Sequence, residues 1–236
     1  MKKFFLYLEF LLVCVIFIIP PFFAKPVTQI QNSNFSLTFP KLIFLAINLL
    51  IYYRYEFTKN QIKTVKKFNI LIQAGNGILC YGILIFTGTV ISVITMLLKV
   101  KPPYSTRFTQ MTALSWVLII LSFLIFAFCE ESIFRLYLPC TLKIFAEKFT
   151  ARFFNSADEK TRQTLDRISF FLVEFISVAV FALSHIYLGV WAVINAFLSG
   201  ITLRYFAVKN RTILTGSVSH FFYNLSVFIL LYFLKD

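Results

Sequence analysis

The stretch FCEESIFRLY, residues 128–137, decides what kind of fold this chain can have. Glu130 and Glu131 are adjacent, Arg135 follows, and the flanks on both sides are strongly apolar. A single charge at the centre of a membrane helix costs roughly 2.5–3.5 kcal/mol on insertion scales. Chains tolerate such a cost where the charges pair with one another or where they do chemistry.

The rest of the sequence places that stretch in a membrane. Of 236 residues, 59% are hydrophobic and 19% aromatic, and mean hydropathy is +0.81. Soluble domains sit nearer 45–50% apolar, roughly. Spans need about 20 apolar residues each, and candidates fall at 4–23, 40–57, 68–98, 110–138, 168–187, 188–207 and 212–234. The fold class is therefore an all-α, polytopic membrane bundle of seven helices, or eight if the connector 139–167 adds a partly inserted one. No large soluble domain remains. Within 68–98, QAGNG (residues 73–77) is a candidate break.

Net charge is +13. In a soluble protein this balance would point to nucleic acid, but here the basic residues lie almost entirely between apolar segments. Topology setting and contact with anionic membrane lipid explain them better, and nucleic acid is excluded as a partner. With the N-terminus inside, sixteen Lys and Arg fall on the inner side and six on the outer. That asymmetry favours a cytoplasmic N-terminus. The opening residues have the basic lead and apolar run of a signal peptide without a convincing cleavage site, and read as an uncleaved first helix.

Smaller features are quieter. Cys14, Cys80, Cys129 and Cys140 show no metal-ligand spacing and read as packing residues. Phe145, Phe149 and Phe153, with Lys and Arg between them, predict a basic amphipathic helix on the cytoplasmic face. The sequon NFS at 34–36 decides nothing.

Seven ionisable residues fall inside apolar segments: Glu9, Glu130, Glu131, Arg135, Glu174, His185 and His220. Glu9 and Glu174 look solitary, with interfacial or packing roles. Glu131 and Arg135 are i and i+4 and share a helix face, whereas Glu130 points about 100° away. One reading makes Glu131–Arg135 a clamp and leaves Glu130 free to act on water or substrate; the other makes all three a single ionic cluster. Both histidines of the chain lie in apolar stretches, and His220 shares a face with Asn224. Residues 168–203 hold one charge, Glu174, and no polar loop. Two full spans and a turn need more than about 40 residues, so the turn near Gly189 is short or sunken and draws His185 inward. Simple topology still puts Glu130 toward the cytoplasmic half and His185 toward the opposite end.

EESIFR fits EExxxR, FALSH (Phe181 to His185) fits FxxxH, and HFFYN (His220 to Asn224) fits HxxxN. Together, in this order and on separate helices, they resemble the CPBP family of type II CaaX prenyl proteases and bacteriocin-processing enzymes. The resemblance covers roughly residues 110–230. It divides one membrane domain, 1–236, into variable N-terminal helices (1–108) and catalytic helices (109–234). It implies an intramembrane endopeptidase in which Glu130 is the general base and His185 helps to hold the water. His220 and Asn224 would donate to the oxyanion, with Glu131 and Arg135 in support. A carboxylate in a water-poor cavity is a better base than one in bulk water, and donors aimed at an oxyanion gain strength where the dielectric is low.

Three alternatives stand beside it. Glu130, His185 and His220 are all possible zinc ligands, but the HExxH spacing is absent, so no metal and no cofactor is the favoured reading. A proton-coupled carrier would use intramembrane Glu and His as a relay, though no internal repeat is visible. An immunity or binding protein would keep the site without turnover. The expected partners are membrane lipid and a protein or peptide substrate, lipidated or not, with no obligate protein partner evident.

Overall fold

The computed structural model describes residues 2–31, 38–57, 70–100, 105–154, 156 and 158–234. The NFS triplet and the basic residues Lys59, Lys63, Lys66 and Lys67 lie outside them. Burial is inverted relative to a soluble protein. Phe5, Leu71, Ile78, Phe86, Phe171 and Phe233 face outward, while Asn48, Ser122, Glu131, Arg135, Ser177, Ser199, Ser219 and His220 are buried. An outward surface of this kind needs lipid to cover it, and helices pack in lipid through small and polar faces rather than by hydrophobic drive.

The helices, in chain order, are α1 (Lys2–Val13), α2 (Pro20–Phe23), α3 (Phe39–Tyr52), α4 (Ile70–Leu97), α5 (Ala113–Glu131), α6 (Leu138–Phe153), α7 (Glu159–Leu183), α8 (Val190–Asn210) and α9 (Leu214–Phe233). Wider π turns extend α1 over Cys14–Ile18, α3 over Tyr53–Phe57, and α5 into α6 over Ser132–Tyr137. Two of the three end two residues before a proline. Pro20–Pro21 and Pro139 cannot donate a backbone N–H, and the chain meets the missing bonds by widening the turn. Ile19 N–H thus reaches Cys14 O, five residues back, at 2.8 Å.

Five helical stretches are long and apolar enough to cross a membrane: Phe4–Phe23, Ile70–Leu97, Ala113–Phe153, Val190–Asn210 and Leu214–Phe233. The other two expected spans are helical as well, but α3 is only 14 residues before its π turn and the first turns of α7 are charged. QAGNG does not break α4, which is continuous for 28 residues. Its small and polar residues are a packing surface: Gln73 accepts from Thr215 Oγ1 at 2.5 Å, Asn76 donates to Asn210 at 2.5 Å, and Gly77 O accepts from Ser219 at 2.9 Å.

The amphipathic connector is helical only to Phe153 and continues α5 rather than standing apart. Phe145 stacks on Tyr7 at 5.2 Å and meets Phe10 edge-on, whereas Phe149 and Phe153 remain exposed. After a short break Asp158 caps α7, accepting from Thr161 N–H, and the Thr161 hydroxyl together with that N–H lowers the carboxyl's pKa.

Described segments of three connections meet at one end of the bundle. β1 (Gln29–Gln31) pairs in parallel with β2 (Ser105–Arg107), and Val27 N–H donates to Tyr187 O at 2.9 Å. Tyr187 belongs to a single 3-10 turn, Ile186–Leu188, between α7 and α8. The reversal closes at Gly189, whose φ of 100° only glycine adopts without strain.

Candidate active site

Glu130 and Glu131 end α5 where the π turn begins, so the two carboxylates leave the helix on different sides. Glu131 is fully buried and Glu130 is about one-third exposed. Opposite them, α9 presents Thr215, Gly216, Ser217 and Ser219, a run small enough for close approach. A Cβ on Gly216 would stand 3.4 Å from Glu131 Oε2.

That approach brings in His220. Its Nδ1 lies 3.1 Å from Glu131 Oε1 and its Nε2 lies 3.6 Å from Glu130 Oε2. A carboxylate only accepts, so Nδ1 donates to Glu131, and Nε2 is turned toward Glu130. The histidine therefore bridges the pair: Glu131 orients the ring, and the ring addresses Glu130.

Arg135 is buried beneath this bridge. Its Nε is 3.5 Å from Glu131 Oε2, and its guanidinium lies over the Phe181 ring at 3.9 Å. Gly200 makes the room, since a Cβ there would meet Phe181 Cδ1 and Val178 Cγ1 at 3.2 Å. None of the three guanidinium nitrogens makes a hydrogen bond among the described residues. Phe181 is the common neighbour of the site, edge-on to His185 at 4.9 Å and to His220 at 6.3 Å.

Two residues read as solitary acids have partners. Glu174 takes a bidentate pair from Arg204, Nε at 2.5 Å and Nη2 at 2.7 Å. Arg204 Nη1 also donates to the backbone carbonyl of Arg135 at 2.6 Å. Pro139, four residues on, cannot supply the α-helical donor to that carbonyl, so the guanidinium takes the place. Glu9 pairs with Arg54 and accepts from Tyr55 Oη at 2.9 Å. Sequence spacing hid both pairs because each joins distant helices.

His185 stands in the turn after α7. Its Nδ1 is 2.9 Å from Phe181 O and 3.3 Å from Ser184 Oγ. Because the carbonyl only accepts, Nδ1 donates and Nε2 is left as an acceptor. A cavity of about 480 Å³ is lined by Glu130, His185, Ser184 and Tyr187 together with Ile16, Pro20, Lys41 and Phe126, among others. Glu130 and His185 thus share one space, and the short turn at Ser184–Gly189 removes the conflict that simple topology posed. His220 lies behind Glu130 rather than on the cavity wall. Asn224, one turn further along α9, is half-buried and makes no hydrogen bond among the described residues. His220 and Asn224 lie one turn apart on α9. Among the described residues, no three His, Cys, Asp or Glu side chains are grouped to hold a metal ion.

These features define a class: a polytopic helical membrane protein with one acid–histidine centre built inside its bundle and open to a cavity. Comparison names the family. Residues 112–226, just under half of the chain, match the model described as type II CAAX prenyl endopeptidase Rce1-like. Residues 112–226 are thus similar to a family of membrane endopeptidases. No curated protein and no solved structure matches it.

Proposed function

We propose that this protein hydrolyses a peptide bond of a membrane-associated protein or peptide, with Glu130 as general base. The carrying observation is that Glu130 and His185 line one cavity while His220 bridges Glu130 to a buried Glu131. Glu130 takes a proton from a water held by His185 Nε2, and the water oxygen attacks the carbonyl carbon. Negative charge moves to the carbonyl oxygen, where His220 and Asn224 donate to it after a local turn of their side chains. Glu130 then returns the proton to the departing nitrogen as the C–N bond breaks. Glu131 and Arg135 hold the His220 ring and the helix end in register. The route uses neither metal nor cofactor, and a strong chelator should leave cleavage intact.

One membrane unit suffices, because both halves of the chain line the cavity. The Lys and Arg asymmetry supports a cytoplasmic N-terminus, which puts the β1–β2 end and the adjoining cavity wall on the outer side. A reporter active only outside the cytoplasm, fused after residue 234, should then be active. The mostly apolar lining accepts an apolar stretch of substrate, with or without an attached lipid. The deciding experiment compares peptide termini in membranes carrying wild type or Glu130→Gln at matched abundance. New termini that vanish in the variant support proteolysis; identical profiles count against it.

A further inference from the structure

Nearly half of the cavity wall, seven of its sixteen lining residues, lies outside the matched residues 112–226. The matched half supplies Glu130, His185 and the face of α5, and the other half comes from the α1–α2 region and the start of α3. On that second wall one residue is charged, Lys41, and it is the one cation among the described residues that line the cavity.

The position of Lys41 is not one that helix formation favours. It sits in the first turn of α3, where the aligned peptide dipoles repel a cation. Nor does the side chain reach out to the interface as membrane lysines commonly do. Its Nζ donates to Ser122 Oγ at 3.3 Å and lies 4.7 Å from the centroid of Phe126. Ser122 is 1% exposed, so the ammonium points into the bundle. Ser122 precedes Glu130 by eight residues of α5, which is about 12 Å along the helix. An extended peptide covers that distance in about three to four residues at 3.3–3.6 Å each.

We infer that Lys41 is a specificity-determining residue: it receives a substrate carboxylate about three to four residues from the bond presented to Glu130. This rests on the endopeptidase reading of Glu130. The recognised group is a carboxylate, either the α-carboxylate of a chain end or an Asp or Glu side chain. The wall that supplies Lys41 thereby selects the substrate for chemistry done on the opposite wall.

The test uses the full chain in lipid nanodiscs and a proteome-derived peptide library in two forms, untreated and with every carboxyl amidated by methylamine. Wild type, Lys41→Met, Lys41→Arg and Glu130→Gln are compared by mass spectrometry of new termini, then by kinetics on the best-cleaved peptide. Wild type should cut the untreated library at least about tenfold better than the amidated one, as loss of a charge-assisted bond requires. A carboxylate should recur three to four residues from the cut. Its position separates the sources: at the chain end for an α-carboxylate, internal for a side chain. Lys41→Met should lose about tenfold in kcat/KM, carried by KM, and Lys41→Arg should recover most of it. Equal cutting of both libraries by wild type, or one profile shared by wild type and Lys41→Met, overturns the inference. A Glu130→Gln profile identical to wild type overturns the endopeptidase reading instead.

Discussion

Two acid–arginine pairs lie within this bundle and are built differently. Glu174–Arg204, between α7 and α8, is bidentate at 2.5 and 2.7 Å and one-fifth exposed on both partners. Glu131–Arg135 is wholly buried, yet its closest recorded approach is 3.5 Å, and its acid is shared with His220. Burial alone would demand the tighter geometry at the second pair, because a charge out of water needs its partner more. The loose pair instead spends part of its carboxylate on orienting a histidine. Tight geometry marks the pair that holds the helices together; slack geometry marks the pair beside the cavity.

Substitutions can break this contrast. Glu130→Gln should lower cleavage by about 10²- to 10⁴-fold, the usual weight of a general base, with abundance and melting temperature close to wild type. Glu131→Gln should act on the protein as well as on the reaction. It leaves Arg135 buried beside a neutral amide, and removing one partner of a buried pair costs about 3–5 kcal/mol. The observable is a fall in membrane abundance and in thermal stability in detergent; a Glu131→Gln protein as stable as wild type would end the distinction between the two glutamates.

Smaller changes sharpen it. Arg204→Met should cost roughly 1–3 kcal/mol, since it removes the bonds from Arg204 to the Arg135 carbonyl and the Glu174 carboxylate. Gly200→Ala should cost about 1–3 kcal/mol by overpacking, as the new methyl would press on Phe181 and Val178 at 3.2 Å. A thermal shift assay reads both. Least of all, Arg54→Gln should move stability by about 0–1 kcal/mol despite its contact with Glu9, because exposed pairs contribute little and the Arg54 side chain is 61% exposed.

Much of the site was legible before any coordinates, and the exceptions have a common cause. The i, i+4 spacing of Glu131 and Arg135 foretold their contact, and the FxxxH spacing put Phe181 beside His185, because those relations lie within one turn of helix. Glu174 looked solitary since its partner is 30 residues away.

By itself the sequence determined the membrane, the helices and the residues that carry charge inside them, because hydropathy and helical period are local properties of the chain. Tertiary structure alone decided how the charges are shared. Which acid orients His220, which guanidinium serves the carbonyl opposite Pro139, and which lysine enters the cavity all depend on contacts between helices. Those contacts follow from where small residues such as Gly200 and Gly216 let backbones approach, and no local pattern encodes that distance.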